Sequence, residues 1–177
     1  QLDEKERGFS FQAEGPLDMR MDRSAGPTAA DLVNRMRERD LADLLYEYGE
    51  EPASRRIARA IVFARERQRI TTTTELADIV RHAAPRARRP GLHPATRTFQ
   101  ALRIRTNQEL EGLGEAMERA ALSLKTGGRM AVIAFHSLED RAVKEAFRSA
   151  VGEGRARVVT AKGIRPTSIR AWPDNTT

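Results

Sequence analysis

The sequence predicts an α/β fold that carries an inserted all-α segment. Residues 130–135 (MAVIAF) form a short, almost purely apolar run. Such a run is typical of a strand that is buried on both faces of a parallel sheet between helices. Residues 27–85 show only short amphipathic patterns of helical period and no strand signal, which favours a helical insertion.

Four segments are expected along the chain. Residues 1–26 carry too many apolar side chains for a free tail, so we expect an ordered loop region that continues from a missing N-terminal half of the α/β domain. Residues 27–94 should hold the inserted helical domain, and residues 95–160 should form the C-terminal part of the α/β domain. Residues 161–177 lose the periodic pattern and are expected to form an irregular tail.

The insertion is predicted to contain four helices, over residues 28–37, 40–48, 52–65 and 72–85. Thr28 with Asp31, and Thr72 with Glu75, have the spacing of a capping box, in which a hydroxyl and an acid satisfy the first N–H groups of a helix. Gly49 is expected to end the second helix, because glycine readily takes the left-handed conformation that closes helices.

Residues 95–124 form the longest helical pattern, in which Gly112 and Gly114 lower helix propensity and would allow a bend. Residues 130–135 and 155–160 are the predicted strands. Because one or two strands cannot form a sheet that is covered on both faces, we expect further strands to precede residue 1.

Polar residues follow the first predicted strand directly. Ser137 is predicted to cap the next helix, with Asp140 at the capping-box position. His136 and Glu139 should then lie at the carboxyl end of the strand, which is the edge where open α/β sheets bind ligands. The alternative is that the SLED sequence only caps the helix.

The charge of the chain points to an acidic partner. The net charge is +6 and the isoelectric point is about 10.4. Residues 55–105 hold thirteen arginines against three acids. The arginines are Arg55, Arg56, Arg59, Arg65, Arg67, Arg69, Arg81, Arg86, Arg88, Arg89, Arg97, Arg103 and Arg105. Aromatic residues are sparse there, so phosphate contacts are favoured over base stacking. Arginine-rich codon usage with solvated helix faces is the alternative.

Several classes of function are disfavoured. The chain has no cysteine, and its three histidines lie on different predicted elements, so we expect no metal site. No apolar run reaches the ~18–20 residues that span a bilayer, and the charged start does not look like a signal peptide, so we expect a cytoplasmic protein without a membrane partner. Nucleotide-binding and nucleophile-elbow motifs such as GxGxxG and GxSxG are absent from the sequence.

Several long and unusual runs resemble one family, the ribosomal RNA small subunit methyltransferase H family of the MraW type. The runs are QLD, ERGFSF, GPLDMRMD, YGEE, RRIARAIV, HPATRTFQALRI and FHSLEDR. The resemblance implies a class I, Rossmann-like fold that uses S-adenosyl-L-methionine to methylate N4 of a cytosine in the decoding region of 16S ribosomal RNA. The implied partner is the small-subunit RNA within the 30S ribosomal subunit.

The resemblance also suggests site residues. Gln1 corresponds to a cofactor-binding glutamine of the family, and Asp18, with Arg20, is expected in a loop near the cofactor. His136 and Glu139 are the expected catalytic residues, which would touch the target base or its phosphates. The alternative for the Asp18 loop is a purely packing role.

Arg97, Gln100 and Arg103 lie off the apolar stripe of residues 95–124 and are the expected contacts to the RNA backbone. A solvated helix face is the alternative for them. The family's glycine-rich cofactor loop and C-terminal run have no match here, so we expect a fragment that is inactive alone. The competing function is a non-enzymatic RNA-binding helical module. Titration of the chain with S-adenosylmethionine, or the sequence that precedes residue 1, would distinguish this module from the enzyme.

Overall fold

The computed structural model of the protein describes residues 5–84 and 93–159. Over these residues the chain forms one short 3-10 helix and seven α-helices. The 3-10 helix is Lys5–Arg7, and the α-helices are α1 (Ala29–Arg35), α2 (Glu38–Gly49), α3 (Ser54–Arg65), α4 (Thr73–Ala83), α5 (Thr96–Asn107), α6 (Leu113–Leu122) and α7 (Ser137–Gly152). The chain divides into two units, unit 1 (Gln1–Glu111) and unit 2 (Gly112–Thr177).

The prediction of an α/β fold with part of a Rossmann-like sheet is wrong for the described residues, which contain no strand. Residues 130–135 and 155–159 have no regular structure, and Ile133 and Phe135 are 80% and 87% exposed. An apolar run indicates a preference for burial, but a strand also needs a neighbouring backbone that forms hydrogen bonds with its N–H and C=O groups. The described residues offer these two segments no such neighbour.

The four helices predicted in residues 27–85 are confirmed as α1 to α4. Both capping boxes form as predicted. Thr28 Oγ1 accepts from Asp31 N at 3.0 Å, and Asp31 Oδ2 accepts from Thr28 N at 3.2 Å. Thr72 Oγ1 accepts from Glu75 N at 3.3 Å, and Glu75 Oε2 accepts from Thr72 N at 3.0 Å. These bonds satisfy N–H groups that the start of a helix leaves unpaired.

Replacing Thr72 by alanine should therefore lower the free energy of unfolding of unit 1 by about 1 kcal/mol, the usual cost of losing a helix cap. The matched control is Thr72→Ser, which keeps a hydroxyl acceptor at the N-cap position and so preserves the box with Glu75. Urea unfolding followed by circular dichroism measures both variants. Equal loss in the two variants would contradict a role for the cap.

The end of α2 differs from the prediction. Gly49 is the last helical residue, and Glu50 takes the left-handed conformation with φ of 48°. Glycine is required at position 49 for a different reason, which is close packing. A Cβ at Gly49 would lie 2.6 Å from the carbonyl oxygen of Arg97 on α5. The glycine thus lets α2 and α5 pack with their backbones in direct contact.

The long helical pattern of residues 95–124 is two helices, α5 and α6. Gln108 closes α5 in the left-handed conformation, with φ of 52°. Gly112 precedes α6 with φ of 71°, a conformation that glycine adopts without steric cost. The break expected near the glycines is thus present and larger than a bend, since the helix stops at Asn107.

The core of unit 1 is formed by the inner faces of α1 to α5 together with the loop that precedes α1. Its largest fully buried side chains include Leu17, Met19, Leu41, Leu45, Ile57, Ile61, Leu76 and Leu102. In unit 2, α6 and α7 pack against each other. Over the described residues, none of the helices is both long enough and apolar enough to cross a membrane.

Candidate functional site

The loop of residues 15–22 (GPLDMRMD), which carries Asp18, is fixed to the start of α1. Ala29 N donates to the Asp18 carbonyl at 2.8 Å, and Ala30 N donates to the Leu17 carbonyl at 2.8 Å. The loop backbone therefore supplies acceptors for N–H groups that begin the helix. As a result, the position of Asp18 is set by the helix.

Asn107, at the end of α5, holds the same loop from the other side. Its Nδ2 donates to the Met19 carbonyl at 2.8 Å and to the Arg103 carbonyl at 2.9 Å, and its Oδ1 accepts from Met21 N at 2.6 Å. Met19 is fully buried and has φ of 62°, a conformation that a side chain rarely adopts. The sequence pattern does not indicate this role of Asn107, because its loop partners lie 86 and 88 residues away in the chain.

Asp18 forms a two-bonded ion pair with Arg20. Asp18 Oδ1 accepts from Arg20 Nε at 2.7 Å, and Oδ2 accepts from Arg20 Nη2 at 3.1 Å. The hydrogen bond from the Arg20 side chain is the main reason that the pKa of Asp18 is lowered from its ordinary value. A carboxylate has about four lone-pair positions. Oδ1 also accepts from Arg20 N at 3.2 Å, whereas Oδ2 keeps one position for a further donor, with Arg23 Nε 3.9 Å away. This arrangement fits one hydrogen bond to a polar ligand.

The lowered pKa of Asp18 predicts acid sensitivity. A carboxyl group whose pKa is lowered by folding stabilises the protein above its unfolded pKa of about 3.9, and that contribution is lost as the pH falls through the folded pKa. We therefore expect the urea midpoint to fall between pH 7 and pH 3, and to fall less in Asp18→Asn than in the parent. Asp31 and Glu75, whose pKa values are also lowered by hydrogen bonds, leave a residual dependence in the variant.

Arg97 and Gln100, both on α5, each donate a hydrogen bond to a carbonyl at the C-terminal end of α2. Arg97 Nη1 donates to the Glu50 carbonyl at 2.9 Å, and Gln100 Nε2 donates to the Tyr48 carbonyl at 3.2 Å. These carbonyls belong to a helix end, where backbone acceptors lack helical partners. Both predicted RNA-binding side chains therefore also tie α5 to α2, and the other N–H groups of the Arg97 guanidinium are left to serve a ligand.

Arg103 is separated from that pair. It forms a two-bonded ion pair with Glu109, through Nε–Oε1 at 2.8 Å and Nη2–Oε2 at 2.9 Å. Its side chain is 26% exposed. The structure thus brings Arg97 and Gln100 together and places Arg103 against an acid whose role the sequence pattern did not reveal. Arg86, Arg88 and Arg89 lie outside the described residues.

In unit 2, His136 and not Ser137 is the N-cap of α7. His136 Nδ1 accepts from Glu139 N at 3.2 Å, with the His136 backbone extended at φ of −142°. Glu139 Oε2 accepts from Phe135 N at 2.7 Å. The predicted cap was one residue too late because histidine is an uncommon N-cap, whereas serine is a favoured one.

The His136–Glu139 arrangement places a donor beside an acceptor in a largely buried position, since the His136 side chain is only 6% exposed and its Nε2 has no hydrogen-bond partner among the described residues. Because Nδ1 accepts an N–H, the neutral imidazole carries its proton on Nε2. His136 Nε2 lies 3.5 Å from Glu139 Oε1. This pair therefore suits a ligand edge that has an acceptor next to a donor. Gln1 lies outside the described residues.

By fold, the described part of the chain is a helical protein with an arginine-rich exterior. The chain belongs to the MraW methylase family, whose family model matches residues 1–168. The family predicted from the sequence runs is therefore confirmed.

Curated relatives agree with this assignment. Over 164 residues the chain is 55% identical to ribosomal RNA small subunit methyltransferase H of Acidobacterium capsulatum. This match covers 93% of the chain and 54% of the relative. It is 57% identical over 151 residues to the protein of the same name from Geobacter sp. strain M21, covering 85% of this chain and 48% of the relative. The relative from Methylobacterium nodulans is 51% identical over 173 residues, which cover 98% of this chain and 50% of the relative. The chain thus spans about half the length of the curated relatives that it matches.

Proposed function

We propose that this chain is part of an S-adenosylmethionine-dependent enzyme that methylates N4 of a cytosine in the decoding region of 16S ribosomal RNA. Membership of the MraW methylase family supports the reaction class. The observation that supports the base is the donor–acceptor pair of His136 and Glu139, whose Nε2 and Oε1 lie 3.5 Å apart.

Cytosine has the complementary edge. Its exocyclic N4 amine is a hydrogen-bond donor, and the adjacent ring nitrogen is an acceptor. A carboxylate is the side chain that accepts from cytosine N4. Glu139 Oε1 would accept from the amine while His136 Nε2–H donates to the ring nitrogen. To reach these groups, the base must be unstacked or already single-stranded.

Bound S-adenosylmethionine would supply a sulfonium methyl group as the electrophile. The cytosine amine would gain the methyl group as the S–CH3 bond breaks and a neutral thioether leaves, and it would lose one proton, for which Glu139 is the nearby acceptor. Most of the rate gain in such a transfer comes from holding the amine in line with the methyl group. The free lone pair of Asp18 Oδ2 suits one donor of the cofactor, and the family resemblance adds Gln1 as a second contact.

The RNA partner would be bound mainly through its phosphates. Arg97 and Gln100 lie at the positively charged surface of unit 1, and Arg103 contributes if Glu109 releases it. Arginine donors to phosphate oxygens fix the orientation of a nucleic acid without reading its sequence. The proposed partner is small-subunit RNA in the 30S subunit, which places the proposed activity in the cytoplasm.

The proposed activity is tested in a hybrid enzyme. The segment of the Acidobacterium capsulatum relative that matches this chain over 164 residues is replaced by the chain itself. The hybrid is incubated with small-subunit ribosomal RNA and a tritium-labelled methyl donor. We expect transfer of tritium to the RNA. A folded hybrid that binds RNA and transfers no label would instead support the non-enzymatic RNA-binding module.

A further inference from the structure

The outer face of α3 carries a regular series of exposed side chains. Arg55, Arg59 and Phe63 are spaced four residues apart, which places them on one face of a helix. Arg67 lies in the turn just after α3, which ends at Arg65, and brings its guanidinium carbon to 4.2 Å from the centroid of the Phe63 ring. We call Arg55, Arg59, Phe63 and Arg67 the α3 stripe. At about 1.5 Å per residue the helical part of the stripe, from Arg55 to Phe63, is roughly 12 Å long.

The structure divides the arginines of this region into three that belong to the stripe, two that contact α1, and Arg56, which is exposed but lies on a different side of α3. Residues 55–69 contain six arginines and a single acid, Glu66. Two of the arginines are used for packing against α1, since Arg65 Nη1 donates to the Val33 carbonyl at 2.8 Å and Arg69 Nη2 lies 3.4 Å from Asp31. These two arginines are therefore not part of the stripe.

The stripe arginines keep their charge available to solvent. Arg55 and Arg67 are exposed and form no ion pair within residues 5–84 and 93–159. Arg59 Nε lies 3.6 Å from Glu38, but its side chain is still 79% exposed. An exposed ion pair of this kind contributes little and exchanges readily for another anion. The stripe therefore offers three guanidinium groups against one nearby partner acid.

Phe63 gives the stripe an aromatic surface. Its side chain is 54% exposed, although it lies on a helix whose inner face has apolar positions for burial. The Arg67 guanidinium, close to the ring centroid, forms a cation–π contact that orders the ring. Aromatic rings and arginine planes are the surfaces on which unstacked bases stack in single-strand binding proteins.

We propose that the α3 stripe binds a single-stranded stretch of RNA, with Arg55 and Arg59 on phosphates and the Phe63–Arg67 pair stacked on one base. The inference rests on the proposed function for the choice of RNA as the polymer. A duplex keeps its bases stacked, so it can use the charges of the stripe but not the ring.

The test measures RNA binding by the whole 177-residue chain through fluorescence anisotropy across a series of salt concentrations. The probe is a labelled single-stranded oligoribonucleotide about ten nucleotides long, compared with the duplex of the same sequence. We expect Arg55→Gln and Arg59→Gln each to weaken binding and to reduce the salt slope by about 0.7. The matched control is Arg81→Gln on α4, which removes an exposed arginine that is paired with Asp78 at 2.9 Å.

The aromatic contact is tested separately. Phe63→Leu should weaken single-strand binding about tenfold with an unchanged salt slope, since a stacked base contributes about 1–3 kcal/mol. Phe63→Trp should restore binding, which an apolar packing role would not require. Position 63 is exposed, so both variants should keep the helical circular dichroism of the parent.

Three results would overturn the proposal. The first is an RNA affinity of Phe63→Leu equal to that of the parent, and the second is a loss of affinity in Arg81→Gln as large as in the stripe variants. The third is binding of the duplex as tightly as the single strand. The measurement involves no methyl transfer. A failure here therefore leaves the hybrid assay unaffected, whereas an inactive hybrid with intact stripe-dependent binding would refute only the enzymatic proposal.

Discussion

Replacing His136 by asparagine in the hybrid enzyme should lower methyl transfer by about a hundredfold or more, while α7 stays intact. Asparagine is among the best N-cap residues, so the variant preserves an acceptor for the N–H groups that begin α7. It removes the Nε2–H donor that we assign to the target base. The loss of one preorganised donor at a reacting group typically costs about 10²–10³ in rate. Single-turnover methyl transfer with excess hybrid measures the effect.

Two controls separate catalysis from capping. Glu139→Gln keeps the length of the side chain but removes the negative charge that would accept the amine proton, so it should also lose activity. Lys144→Gln on α7 alters an exposed cation, paired with Asp140 at 2.5 Å, and should leave the rate unchanged. Full activity in a folded His136→Asn hybrid would show that the SLED segment only caps the helix.

Replacing Gly49 by alanine should lower the free energy of unfolding of unit 1 by about 3 kcal/mol, as in overpacked cores. The added Cβ would lie 2.6 Å from the Arg97 carbonyl oxygen and 3.3 Å from the Ala101 Cβ. Backbone cannot move aside as a flexible side chain does, so α2 and α5 must separate. That shift would also disturb the hydrogen bonds that Arg97 and Gln100 make to the end of α2. Urea unfolding measures the loss.

Gly114→Ala is the control for this effect. Gly114 lies in the first turn of α6, and a Cβ built there meets no atom within 4 Å. Alanine favours helix over glycine by up to about 1 kcal/mol, so this variant should be neutral or slightly stabilising. A Gly49→Ala protein as stable as the parent would show that α2 and α5 are not in backbone contact.

The helices of unit 1 were predictable because their signals are local. Thr28 and Thr72 each find their capping partner three residues away, and the packed faces of α2, α3 and α4 repeat with the helical period. Such features need no knowledge of the rest of the chain. The family was predictable for a similar reason, since runs such as FHSLEDR are long enough to identify it on their own.

The features that sequence analysis missed depend on distant partners. An apolar run becomes a strand only beside another strand, and residues 130–135 have none among the described residues. Asn107 acts on Met19 and Met21, which no periodicity connects to it. The contact of Gly49 with Arg97 likewise follows from how α2 and α5 pack. These distant contacts hold the Asp18 loop and set the packing of α2 against α5, and no local pattern in the sequence could predict them.

We propose that this chain helps to position a cytosine of small-subunit RNA for methylation at N4. The most direct measurement is nucleoside analysis by mass spectrometry of 16S ribosomal RNA from bacteria that lack their own enzyme and express the hybrid. We predict N4-methylcytidine in the decoding region with the parent hybrid and its absence with His136→Asn. A methyl group on another base or another atom of cytosine, or no methylation by a folded hybrid, would contradict the claim.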